Sequence, residues 1–183
     1  MPARPPRSAE LLAAAAGARE QLRDTGGEGD ELGLIHFDLG GDHFAIPVEA
    51  VSNIERFPAI TPVPNTPFHV RGIANLRGEI VPVLDLIPLL DIEQHEGHAD
   101  RGLLVLRDDR KRFGVVTGSL PDYIRVSPDR VEPAPKSNDA VDGILAGAIR
   151  LVDRSGGGSL QRLVGVIDSA RLMALVARTT NAE

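Results

Sequence analysis

The stretch Val70–Leu86, V-R-G-I-A-N-L-R-G-E-I-V-P-V-L-D-L, decides the fold, because it sets a polar turn between two apolar runs. Asn75, Arg77 and Gly78 form the turn, and glycine takes positive φ there without steric penalty. The run Ile80 to Leu84 is rich in β-branched residues and reads as a buried strand. Arg77 then stands on the rim of a rigid sheet, where an always-charged planar group with five donors suits a carboxylate on another macromolecule. Capping of carbonyls within its own turn is the alternative use of the same side chain.

Working outward, part of this pattern occurs twice. His43 to Ile54 (H-F-A-I-P-V-E-A-V-S-N-I) keeps its aromatic, small and aliphatic positions in step with Arg112 to Tyr123 (R-F-G-V-V-T-G-S-L-P-D-Y). Val70 to Ile73 (V-R-G-I) answers Val141 to Ile144 (V-D-G-I), and Val81 to Leu90 answers Val164 to Met173. The extra length of the second copy falls at Asp153 to Ser159 (D-R-S-G-G-G-S), which reads as a hairpin tip. Three matches in one order imply two similar β units in tandem.

Alternation supplies the strands. Ile35, Phe37 and Leu39 share one face, Gly40-Gly41-Asp42 turns, and Phe44, Ile46 and Val48 resume the pattern. Prolines 58, 62, 64 and 67 keep the next segment extended. Leu103 to Leu106, a turn at Asp108-Asp109, and Phe113 to Val116 give the second hairpin, and Leu163 to Ile167 the last strand. Asp85 and Asp168 each stand between a strand and a short apolar helix, the position of an N-cap.

Composition sets the outer limits. A chain of 183 residues can bury a core without disulfides, and no cysteine is present, which fits a reducing compartment. A net charge of −6 and an aromatic content of 3% argue against a nucleic-acid binder, which needs basic patches and stacking platforms. No apolar run approaches a membrane span, so no direct membrane insertion is expected. The run L-L-A-A-A-A-G-A after Arg4 and Arg7 imitates a secretory signal, but it continues into Arg19, Glu20 and Arg23 and reads as an alanine-rich helix capped by Ser8. Thr25 to Asp30 is a glycine-rich linker. Residues 1–30 are thus expected to be a dispensable helical extension.

Catalytic patterns are weak. Asp168-Ser169-Ala170 loosely matches an aspartic-protease loop but has alanine where glycine is required, and Asp24-Thr25-Gly26 has no strand before it. His95 and His98 lie close together in an acidic loop without a third metal ligand in view. Gly156-Gly157-Gly158-Ser159 lacks the lysine of a phosphate loop. No catalytic residue, cofactor or metal is expected.

From Leu32 to Val176 the chain resembles the CheW family of chemotaxis adaptors. The resemblance rests on G-G-D-H-F-A-I-P at Gly40 to Pro47, V-S-N-I at Val51 to Ile54, the specific run at Gly72 to Leu86, F-G-V-V at Phe113 to Val116 and P-A-P at Pro133 to Pro135. It implies an all-β fold of two interlocked SH3-like five-stranded barrels with short helices. On that basis the CheW-like domain spans 31–178, with subdomains near 31–95 and 96–178, possible strand exchange, and a tail at 179–183. It also implies a cytoplasmic, non-enzymatic adaptor at membrane-bound receptor arrays, coupling the cytoplasmic tips of chemoreceptors to the regulatory domain of the histidine kinase CheA. Carried over by position, the receptor- and kinase-binding residues are Val51, Asn53, Ile54, Leu76 and Arg77, with Gly78 shaping the turn.

Two positions depart from the family pattern. An acid is usual where this chain has Asn53, with Glu55 two residues on, and an aspartate is usual near Gly118. An adaptor of a non-flagellar chemosensory pathway is the alternative within the class. A hydrolase on a duplicated β scaffold is the alternative outside it.

Overall fold

The computed structural model describes residues 31–94, 99–107, 111–153 and 160–180. Ten strands run in chain order: β1 Leu32–Leu39, β2 Asp42–Pro47, β3 Val51–Arg56, β4 Val70–Leu76, β5 Glu79–Leu84, β6 Gly102–Arg107, β7 Arg112–Thr117, β8 Asp122–Val126, β9 Leu145–Asp153 and β10 Leu160–Ile167. Three short helices follow strands or connections: α1 Leu86–Leu89, α2 Asp139–Ile144 and α3 Ser169–Thr180. The alanine-rich extension and linker, the loop of His95 and His98, the Asp108-Asp109 turn, the Gly156–Ser159 tip and residues 181–183 lie outside the described residues.

The strands form two five-stranded sheets, β8-β1-β2-β10-β9 and β3-β6-β7-β5-β4. The expected halves, 31–95 and 96–178, each supply strands to both sheets. Strands β1 and β2 join β8, β9 and β10, while β6 and β7 join β3, β4 and β5. Exchanging the first five strands for the last five converts one sheet order into the other, so the duplication read from the sequence is a duplication of topology. Both exchanged junctions are parallel, β2 with β10 and β5 with β7. We call the units barrel A, containing β1, and barrel B, containing β6.

Each sheet curls until its edges approach. The bridge Glu132↔Ala148 does this in barrel A and Thr61↔Ile73 in barrel B. Three cores result. Leu32, Leu34, Ala45, Ile149 and Val164 fill barrel A; Ala74, Val81, Leu103 and Val105 fill barrel B. The largest core lies between them, with Phe37, Phe44, Leu104, Phe113, Ile144 and Leu172 among its members. Strand β1 serves two cores, with Leu32 and Leu34 turned into its barrel and Ile35, Phe37 and Leu39 into the shared layer, as period-2 alternation requires.

The structure corrects two expectations. The V-D-G-I segment lies in α2 whereas V-R-G-I opens β4, so the two do not correspond. The true counterpart of Val70 is Leu145: Val70 pairs with Leu84 and Leu145 with Ile167, each at a register shift that skips one residue. Gly72 and Gly147 follow at the bulges, where a Cβ would stand 2.2 Å from the Thr61 carbonyl oxygen and 2.8 Å from that of Glu132. The run Ile80 to Leu84 is not buried throughout: Val81, Val83 and Leu84 point inward while Ile80 and Pro82 are exposed. Gly78 takes positive φ as its sequence position predicts (φ 91°), and Arg77 shares it (φ 55°).

The helix caps form as the sequence reads. The Asp85 carboxylate accepts from the Ile87 amide at 3.0 Å and that of Asp168 from Arg171 at 3.1 Å. Their second oxygens meet guanidinium groups, Asp85 with Arg71 and Asp168 with Arg171. Both carboxylates are committed to capping and ion pairing, which removes the geometry a protease dyad needs. The backbone amides match too, Asp85 donating to the His69 carbonyl and Asp168 to that of Ile144. His69 itself is fully buried, with Nε2 3.5 Å from Thr179 Oγ1 and no partner for Nδ1 among the described residues. Burial pushes its pKa below the usual value.

Candidate functional interface

The rim of barrel B gathers most of the expected binding residues. β4 and β5 are joined by the two residues Arg77 and Gly78, with Leu76 opposite Glu79. Positive φ at both loop residues gives the twist that two-residue hairpins favour. The Asn75 side-chain oxygen accepts from the Gly78 amide at 2.7 Å and pins the turn. Arg77 is thereby held outward with 81% of its side chain exposed. Its side chain meets Glu55, at 3.5 Å, rather than a carbonyl of its own turn.

Glu55 belongs to β3, at the other edge of the same sheet, and curling of the barrel is what brings it to the hairpin. Asn53 donates to the same Glu55 oxygen at 3.3 Å. Asn53, Glu55 and Arg77 therefore form one polar row, with the acid two residues beyond the position where the family pattern sets it. A second network lies alongside: Arg112 of β7 pairs with Glu79 and donates to Ser52 Oγ at 3.3 Å.

The apolar members divide by alternation. Asn53 stands opposite Val105, on the barrel-interior side, and Ile54 stands opposite Leu104, on the side of the shared core. Ile80 shares a face with Leu84, another member of that core. Ile54 is 36% and Ile80 58% exposed. By strand alternation both isoleucines lie on the sheet face that carries the shared core. Val51 is half-buried against that layer, and Leu76 packs against the interior of barrel B; both support the surface by packing. Ser52, Glu79, Ile80 and Arg112 stand on the same rim and were not singled out from the sequence. The Arg112–Glu79 pair depends on a parallel strand junction, which leaves no local spacing to read.

Elsewhere the chemistry is sparse. Among the described residues no three His, Cys, Asp or Glu side chains converge as metal ligands. No helix among them is long and apolar enough to cross a membrane. The surface can bind, through an exposed guanidinium, carboxylates and apolar edge residues.

Comparison with known proteins agrees with this architecture. Residues 33–177 match the family model described as CheW-like domain. A probable chemotaxis protein CheW from Rhizobium etli is 26% identical over 121 residues, which cover 66% of this chain and 78% of that protein. The chemotaxis protein CheW of Helicobacter pylori is 26% identical over 141 residues, covering 77% of this chain and 82% of that one. The crystal structure of scaffolding protein TtCheW from Thermoanaerobacter tengcongensis superposes with a TM-score of 0.62 at 21% identity, covering 77% of this chain and 86% of the other, a likeness of fold that includes the paired SH3-like barrels. Since the matched span runs from the first strand into the last helix, the chain belongs to the CheW-like domain family.

Proposed function

We propose that this chain couples the cytoplasmic tips of chemoreceptors to the regulatory domain of the kinase CheA, with the rim of barrel B as one contact surface. As a member of the CheW-like family the chain is a chemotaxis adaptor, acting by binding rather than by turnover. A receptor and a kinase held on one rigid body are brought to high effective concentration, so a shift in one biases the other. The cytoplasmic face of a receptor array is the setting this coupling requires.

The observation that carries the reading is the presentation of Arg77, 81% exposed on a pinned turn beside the apolar edge of Ile54 and Ile80. An amphipathic helix fits such a surface when its apolar stripe lies on the isoleucines and its carboxylate takes the guanidinium fork. Val51, Asn53, Leu76 and Gly78 act in support: Val51 and Leu76 pack beneath the surface, Asn53 orients Glu55, and Gly78 shapes the turn.

Binding assays with a receptor-tip fragment and with the CheA regulatory domain test this directly. Arg77→Glu is expected to weaken at least one partner by about tenfold or more, the order expected for a lost charge-assisted pair. Arg77→Lys keeps the charge, loses the fork and weakens binding less. Both variants keep a native-like melting curve. Unchanged affinity for both partners in folded Arg77→Glu would remove Arg77 from the interface.

A further inference from the structure

At the mouth of barrel A three side chains from three neighbouring strands form a continuous hydrogen-bond chain. His36 of β1 places Nδ1 3.1 Å from Asp122 Oδ1 of β8 and Nε2 3.2 Å from Nδ1 of His43 on β2. The imidazole centroids are 5.3 Å apart. With facing nitrogens at 3.2 Å, that separation means that the rings meet nitrogen to nitrogen rather than face to face. His36 is 17% exposed on its side chain.

An imidazole–imidazole hydrogen bond needs one proton between the facing nitrogens, and this fixes what the chain can hold. With both rings neutral, His36 donates from Nδ1 to the Asp122 carboxylate, and His43 donates from Nδ1 to the bare Nε2 of His36. One added proton is accommodated with both bonds intact: His36 then donates from both nitrogens, to Asp122 and to the now bare Nδ1 of His43. A second added proton leaves two N–H groups facing each other, and the bond is replaced by repulsion.

We infer that His36, His43 and Asp122 form a proton-sensitive clasp in which the first proton is held by the chain and the second releases His43 of β2, the His36–Asp122 pair being kept. The place gives the device its leverage. Asp122 opens β8 directly after residues 118–121, where the chain crosses from barrel B to barrel A, and His36↔Asp122 is the terminal rung of the β1–β8 ladder. The second proton therefore frees the start of β2, while His36 and Asp122 keep the rung at the crossover closed.

The surroundings resist the second proton on balance. Burial, His36 and Arg162 of β10 all push the His43 pKa down, while Asp38 of β1 and Asp42 of β2 oppose them. Asp91, Glu93 and Lys136 line the cavity of about 590 Å³ that His43 also borders. The corresponding positions of barrel B hold Val105, Arg112 and Asn53, none of which titrates near neutrality. The clasp belongs to one barrel alone.

Imidazole nitrogen–proton correlation spectra of the full chain, followed from about pH 8 to about pH 4.5, the range in which histidines titrate, test the coupling. Both histidines are expected to report two macroscopic steps, because the protons belong to the pair. His43→Gln should collapse the His36 curve to a single step. Hydrogen exchange supplies a readout that needs no variant: protection factors at the start of β2 should fall several-fold once the second step is passed, while those of β3 do not change. Two independent single-step curves in the wild-type protein, or unchanged β2 protection through both steps, would overturn the clasp.

Discussion

Barrels A and B use equivalent positions to opposite electrostatic ends. Where barrel A has His36, His43, Asp122 and Arg162, barrel B has Val105, Arg112, Asn53 and Glu79, as the matching ladders place them. One mouth is held by imidazoles, whose charge changes within the physiological range. The other is held by the Arg112–Glu79 pair, with charges that persist across that range. The same backbone frame thus carries a titrating rim and a permanent one. Duplication fixed the packing positions and left the rims free to diverge, since a rim residue buries little area and costs little to replace.

The sharpest test of equivalence lies in the cores. Leu34 fills barrel A and its counterpart Leu103 fills barrel B, both with no exposed surface. Each change to alanine is expected to cost about 2–5 kcal/mol, with one cooperative transition in denaturant. Exchanged strands and a shared layer leave neither barrel able to melt alone. Two resolved transitions in either variant would break the comparison.

A smaller effect is expected at the bulges. Gly72, with φ 140° and a Cβ position 2.2 Å from the Thr61 oxygen, leaves less room than Gly147. Gly72→Ala should destabilise by about 1–3 kcal/mol, in the range of overpacking, and by more than Gly147→Ala. Equal costs in thermal unfolding would show that positive φ adds nothing at this site.

His69 sharpens the comparison by pH, because barrel A has buried Ile144 at the matching place. The His69 pKa is lowered in the folded chain by burial. The unfolded chain therefore binds more protons below about pH 6.5, the ordinary histidine value, and stability falls as pH drops through and below that point. His43, also lowered, contributes with the same sign. His69→Leu should flatten the acid limb of the melting temperature, and an unaltered limb would exclude His69 as a source of it.

The smallest effect is expected at Arg77. A non-glycine residue at φ 55° stores backbone strain of about 1 kcal/mol, so Arg77→Gly should leave stability unchanged or raise it slightly while partner binding falls. Stability and binding moving down together would mean that the side chain helps hold the fold.

What the sequence made legible was local. Alternation at Ile35, Phe37 and Leu39, the two capping aspartates and the turn at Gly78 all depend on neighbours a few residues away, and the structure contains each of them. The strand exchange depends on the parallel junctions β2–β10 and β5–β7, which no spacing encodes. The V-D-G-I match misled because residue identity alone equated it with V-R-G-I, whereas Asn138 caps a helical turn there through the Val141 amide. At the rim, Arg77 is legible from its turn, and Asn53 and Ile54 by resemblance. Glu79 and Arg112 are not, because their meeting requires β7 to lie beside β5.

The exchange of strands also sets an order for biosynthesis. Every strand of barrel B lies between Val51 and Thr117, so that unit has all its parts before β8 leaves the ribosome. Barrel A is different. Its β1–β2 hairpin is translated first, yet its partners arrive last, with His36 and Asp122 standing 86 residues apart. Such distant pairings are slow to close, so the nascent chain carries an incomplete apolar hairpin through most of its synthesis. The early-made barrel, with its own face of the shared layer, is the surface against which that hairpin can wait.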